Sequence, residues 1–143
     1  MARIDRTVHV DRSLSRVFDY LSDFTTTEEW DPGTVRTVRV KGDGGVGTEY
    51  LNTSRFAGRE TQLTYVVERF EPGRALALRG ENRTVVAHDT MTFRDTATGC
   101  EVTYVAEFEL KGPARFAAPL LAAAFKRLGD EAERGLRDAL ERL

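Results

Sequence analysis

The sequence predicts an α+β domain, an antiparallel β-sheet curled around one long C-terminal helix. Three observations carry that class. From about Thr34 to Leu110 the chain reads as six segments of strand character. Short Gly- and Pro-containing turns at 42–47, 57–58, 71–73, 80–83 and 96–99 separate them, too short for the crossovers that parallel strands need. After Pro113 the pattern changes: Leu121, Phe125, Leu128, Ala132, Leu136, Ala139 and Leu143 recur three and four apart, the stripe of an amphipathic helix.

The elements follow in order. Ile4, Val8 and Val10 alternate with Arg3, Asp5, Thr7 and His9, a half-buried strand with Arg6 as the one misfit on its inner face. Leu14, Val17, Phe18 and Leu21 form the stripe of a short helix, with Asp11 or Ser13 as N-cap. Phe24 and Trp30 fall in an irregular or second helical stretch, which Asp31-Pro32-Gly33 ends as a turn. Strands are then expected at 34–41, 48–56, 60–70, 74–80, 84–95 and 100–110, seven with the first.

The last strand is the clearest. Cys100, Val102, Tyr104, Ala106, Phe108 and Leu110 share its inner face, with Glu101, Thr103 and Glu107 on the other. The strand before it places Val85, Ala87, Asp89, Met91 and Phe93 inward and His88, Thr90, Thr92 and Arg94 outward. The final helix, read from Pro119 to Leu143, would run about 37 Å. A break is expected at Pro119, whose ring would clash with the carbonyl at Arg115. Opposite charges four apart (Asp130–Arg134, Glu133–Arg137, Arg134–Asp138, Arg137–Glu141) mark its wet face.

Composition excludes several classes. A length of 143 residues fits one domain, 1–143, able to fold without staples. A net charge of −2 gives no pull toward nucleic acid. One cysteine, Cys100, and two histidines make neither a disulfide nor a zinc site of the usual ligand type. No cofactor and no metal is expected. The N-terminus lacks a signal peptide's apolar region, and no apolar run approaches a membrane span. A cytoplasmic protein with no integral membrane association, monomer or homodimer, is the expectation.

The order of elements resembles the START-like or SRPBCC superfamily, and within it the polyketide cyclase/dehydrase-like branch. The resemblance covers nearly the whole chain. Val17-Phe18-Asp19-Tyr20-Leu21-Ser22-Asp23 and Trp30-Asp31-Pro32-Gly33 carry it, with Gly45-Val46-Gly47-Thr48 opening a strand. Tyr65-Val66-Val67-Glu68 then leads to Phe70-Glu71-Pro72-Gly73-Arg74, and Lys111-Gly112-Pro113 leads into the helix. It implies the helix-grip fold, with a deep cavity between sheet and C-terminal helix. The scaffold hosts carriers, cyclases and hydrolases, so it implies no shared catalytic set.

A small, largely apolar partner (a lipid, polyketide or aromatic compound) is expected in that cavity. The alternatives are a polyketide cyclase or dehydratase acting there, and an interaction module with a vestigial cavity. The expected lining is Trp30, Tyr50, Tyr65, Asp89, Met91, Tyr104, Leu121 and Phe125. Asp89 and Tyr104 are the only catalytic candidates. Asp89 on an apolar face needs an inward cation such as Arg6, a wet pocket, or a ligand to act on. Trp30 is expected beside the cavity entrance, partly buried, with its N–H free for a polar partner. His88 and His9 fall on polar faces. Gly42-Asp43-Gly44-Gly45-Val46-Gly47 matches G-x-G-x-x-G, but strand rather than helix follows it, so it reads as a hairpin loop.

Overall fold

A computed structural model describes residues 1–143. Seven strands form one antiparallel sheet: β1 (Ala2–Val10), β2 (Thr34–Lys41), β3 (Glu49–Phe56), β4 (Arg59–Glu71), β5 (Ala75–Glu81), β6 (Val85–Asp95) and β7 (Cys100–Leu110). Their spatial order is β1-β7-β6-β5-β4-β3-β2. From β2 to β7 every strand pairs with its neighbour in sequence, as hairpins dictate. The exception is β1, which closes against β7 in unbroken register, Val10 opposite Cys100 and Ala2 opposite Phe108. Bulges lie in the β2–β3 pair and between Val67 and Arg69 of β4. Each adds local bend and twist, which curls a sheet.

The chain crosses from one sheet edge to the other through α1 (Leu14–Leu21), a 3₁₀ turn at Phe24–Thr26 and α2 (Thr27–Trp30). Ser13, one of the two expected caps, accepts from the Arg16 amide at 3.3 Å. Val17, Phe18 and Leu21 bury the predicted stripe of α1. A buried polar knot then ties α2 to the sheet. Thr27 and Thr37 share a hydroxyl bond of 2.6 Å, Asn52 Nδ2 donates to Thr37 at 2.9 Å, and Glu28 accepts the Thr37 amide at 2.8 Å.

The C-terminal element differs from the expectation of one helix from Pro119. Residues Gly112–Leu121 wind as 3₁₀ turns containing Pro119, and the α-helix α3 spans Ala122–Glu141. Proline has no N–H for the α-helical bond and its ring would clash with the carbonyl four residues back, so the α-helix begins only beyond it. The 3₁₀ stretch buries no residue. Phe116 and Leu120 are 73% and 85% exposed.

Helix α3 packs on β1 and α2. Its buried stripe is Phe125, Ala132, Leu136, Ala139 and Leu140, with Gly129 among them. Leu128 is only half-buried. Of the four expected charge pairs on α3, only Glu133–Arg137 forms, at 3.4 Å. Asp130 instead bonds Lys126 and, at 2.9 Å, Arg6.

Two glycines let α3 come this close. A Cβ on Gly129 would meet Arg6 Nη2 at 2.8 Å and Ile4 Cγ2 at 2.9 Å. A Cβ on Gly135 would collide with the Trp30 carbonyl oxygen. Glycine inside a helix costs about 1 kcal/mol relative to alanine, and here the cost is met by contact with β1 and with the end of α2.

Candidate functional site

Between the concave face of the sheet and α3 lies a cavity of ≈170 Å³ with a mainly hydrophobic lining, 14 of 24 residues. Its walls come from α2, β3, β4, β6, β7 and α3. An outer groove of ≈550 Å³ adjoins it and shares Gly33, Arg55, Phe56 and Leu128 with it. On that side Phe125 of α3 packs between Phe56 and Phe108, at centroid distances of 4.6 and 5.1 Å. The three rings form an aromatic cap, and Leu121 stands beside them in the lining.

Six of the expected lining residues reach the cavity: Trp30, Tyr65, Asp89, Tyr104, Leu121 and Phe125. Two do not. Tyr50 is 1% exposed and packs on Phe24 at 5.6 Å. It belongs to the core beneath the α1–α2 segment, because its neighbour Phe24 intervenes as cavity wall. Met91 faces inward as expected but is buried in the core away from the lining. Met91 lies beyond the cavity, whose β6 wall runs from Val85 and ends two residues earlier at Asp89.

Trp30 is deeper than an entrance residue. It is 2% exposed and stands edge-on to the Tyr104 ring at 5.6 Å. The loop at 42–47 contributes nothing to the lining. It lies at the opposite end of the β2–β3 hairpin, held by the bond from the Gly44 amide to Thr48 Oγ1 at 2.8 Å.

Asp89 is the one fully buried carboxylate of the lining. Arg6 does not pair with it, because that guanidinium is held by Asp130 at 2.9 Å and Glu133 at 3.3 Å. Asp89 has one protein partner, the Tyr104 hydroxyl, which donates to Oδ2 over 3.3 Å. Burial pushes its carboxyl up from 3.8 to about 7; nearby Asp31 adds to the rise, and the Tyr104 bond opposes it. The same burial raises the phenols of Tyr104 and Tyr65.

Asp31 also lines the cavity and is also raised by burial. Its oxygens are used, however: Oδ1 accepts the Gly33 amide at 3.1 Å and Oδ2 the Thr34 hydroxyl at 3.0 Å. It holds the turn that ends α2. Just two buried side-chain polar atoms have no hydrogen-bond partner, Asp89 Oδ1 and Trp30 Nε1. Each such atom typically costs about 1–3 kcal/mol.

Sequence reasoning missed Asp31, Asn52, Phe56 and Phe108 as lining residues. Phe108 had the right parity on its strand. Phe56 gave no signal, since its role comes from the meeting of a hairpin tip with α3. No group of His, Cys, Asp and Glu side chains is placed to hold a metal ion. No helix is long and apolar enough to cross a membrane.

A curled antiparallel sheet gripping one C-terminal helix over an internal cavity defines a START-like, helix-grip protein. The chain belongs to the polyketide cyclase/dehydrase and lipid transport family, whose profile matches residues 1–141. Among solved structures it is similar to the Zhui aromatase/cyclase from Streptomyces sp. R1128, with a TM-score of 0.84, 15% identity, and 99% of this chain and 94% of that one covered. A START superfamily protein from Mycobacterium smegmatis has a TM-score of 0.81 at 12% identity, over 98% and 97% of the two chains. A third, the protein TTHA0849 from Thermus thermophilus, has 0.78 at 15%, over 96% and 95%. Identities this low establish the fold alone. No curated protein matches the chain. Membership of the family supports a hydrophobic-ligand-binding or cyclase role and names no substrate.

Proposed function

We propose that the chain, acting as a single unit, binds and carries a small, largely apolar molecule of the lipid, polyketide or aromatic kind. The observation that carries this reading is the mainly hydrophobic cavity between sheet and α3. Burial of apolar ligand surface there yields about 25 cal/mol per Å² and needs no cofactor. The volume suits a compact occupant of one or two rings, since an apolar cavity of about 150 Å³ takes benzene. A larger ligand needs the Phe125 cap to swing outward.

Trp30 makes the reading testable, because it is the sole tryptophan and part of the lining. Titration with neutral apolar compounds should change its emission along a single-site curve near micromolar Kd, about −8 kcal/mol. A broad apolar panel that moves neither the emission nor the melting temperature would count against a functional cavity.

One observation favours a second reading, cyclisation or dehydration of a polyketide-like substrate. Asp89, a residue of the lining, combines an unpartnered oxygen with a carboxyl raised to about 7, suited to general acid–base work near neutral pH. Under this reading Asp89→Asn abolishes turnover while ligand affinity stays within a fewfold. Under the carrier reading there is no turnover to lose.

A further inference from the structure

The lining of the cavity is mainly hydrophobic and its cap is aromatic, but its inner end is polar. Trp30, Tyr104 and Asp89 meet there: the indole stands edge-on to the Tyr104 ring at 5.6 Å, and that tyrosine's hydroxyl rests on Asp89 Oδ2 at 3.3 Å. Two other polar side chains of the lining in this region are committed, while the Tyr65 hydroxyl, near Asp89 and Tyr104, makes no bond to the protein. Asp31 is used by Gly33 and Thr34, and the Asn52 amide by Thr37 and Thr34 at 2.9 and 3.5 Å. Two fully buried atoms have no partner, one donor, Trp30 Nε1, and one acceptor, Asp89 Oδ1, both on residues of the same lining. Buried polar atoms are nearly always paired, so an orphan donor and an orphan acceptor at one end of a ligand cavity describe a missing group.

We propose that the inner end of the cavity is a hydroxyl-binding site, where Trp30 Nε1 donates to the ligand oxygen and Asp89 Oδ1 accepts the ligand's O–H. The inference deepens the carrier reading and rests on it. A hydroxyl is the simplest neutral group that both accepts and donates through one atom. Above pH 7, where Asp89 is mostly ionised, a carbonyl satisfies the indole but offers the carboxylate no proton. An ammonium satisfies Asp89 but offers the indole no acceptor. An anion is disfavoured at this end, because Asp89 and Asp31 both border the cavity, Arg6 is engaged by Asp130 and Glu133, and the one arginine of the lining, Arg55, is largely exposed on the side of the outer groove. The ligand class is therefore an uncharged phenol or alcohol on a compact apolar skeleton, hydroxyl inward and apolar body toward Phe108, Leu121 and Phe125.

The experiment is calorimetric titration of the full chain at pH 7.5 with three probes of one shape: 1-naphthol, 1-methylnaphthalene and 1-naphthoate. The expected order is naphthol tightest, by at least about tenfold over methylnaphthalene, as two hydrogen bonds to buried groups imply, with naphthoate weaker than naphthol. Trp30→Phe removes the N–H donor together with part of the ring, and Asp89→Leu removes the acceptor together with the partner of the Tyr104 hydroxyl. Each should bring the naphthol preference below about threefold while the methylnaphthalene affinity holds within about threefold, which a general loosening of the fold would not do. Equal wild-type affinities for naphthol and methylnaphthalene, or tightest binding of naphthoate, would overturn the hydroxyl site and leave the carrier reading standing. A wild-type protein that binds none of the three overturns both. The wild-type probe order needs no variant, so a variant that fails to fold does not shelter the proposal.

Discussion

Asp89 shows how one side chain ties the cavity to stability. Its alternation with Ala87, Met91 and Phe93 was readable from the strand pattern, and so was the problem it poses: a carboxyl on an apolar face. Its partner was not readable. Arg6 stood at a plausible inward position, but α3 offers that guanidinium two carboxylates, and they win. The sign of the resulting pH effect follows. The folded carboxyl, raised from 3.8 to about 7, holds its proton more tightly than the unfolded one. Its contribution to stability is full below pH 3.8 and falls as pH rises to about 7. The loss amounts to about 4 kcal/mol as an order of magnitude. Asp89→Asn should therefore match the wild type near pH 4 and exceed its stability by about 2–4 kcal/mol at pH 8. Urea melts at the two pH values measure this, and parallel curves would show that the carboxyl titrates normally. At the cavity mouth, Phe125→Ala should cost about 3–5 kcal/mol, the usual range for a buried phenylalanine. It should also speed ligand dissociation in stopped-flow emission, because it removes the middle ring of the cap.

At the scale of elements, α3 is the piece whose sequence says most and whose docking says more. The stripe of Leu136 and Ala139 announces a buried face, and Leu136 is fully enclosed. Leu136→Ala should cost about 2–5 kcal/mol, while Arg134→Ala on the exposed face should cost under about 0.5 kcal/mol. Similar values for the two in chemical denaturation would refute the gripped helix. Leu128 belongs to the same stripe but borders the cavity and the outer groove, so it is half-buried. Gly135→Ala is the sharper test. Helix propensity alone predicts a gain of about 1 kcal/mol, whereas the Trp30 carbonyl occupies the place of the new methyl. A net loss of more than about 1 kcal/mol, with a shifted Trp30 emission, is the expected outcome. The first helix needs no such argument, for its cap and its stripe are local and both appear where the sequence puts them. Pro119 marks a break from its own chemistry, yet the chain answers it with ten residues of 3₁₀ turn before α3 begins, a length that no single residue specifies.

For the whole molecule, ligand binding and folding are one equilibrium. A ligand at a hundred times its Kd adds about 2.7 kcal/mol to stability, which should raise the melting temperature by roughly 5–12 °C in a domain of this size. Heat capacity should fall on binding, the mark of apolar burial. Calorimetry with a bound neutral aromatic compound checks both, and an unchanged melting temperature at saturation would contradict binding to the folded state. The strand boundaries, the antiparallel order of β2 to β7, the inward parity of β6 and β7 and the stripe of α3 were legible in the residues, because each depends on spacing along a few neighbours and on turn chemistry. The cavity's composition was legible only in part. Parity could say that Tyr104, Asp89 and Met91 share a side, but where the cavity ends along β6 decided that the first two line it and the third packs in the core. Phe24 decided the same for Tyr50. The aromatic cap, the commitment of Arg6 and the two unpartnered atoms on Trp30 and Asp89 join residues up to 124 positions apart. Periodicity carries no information about such meetings. They arise when a curled sheet and a helix close on each other, and which polar atoms find partners is settled by that closure.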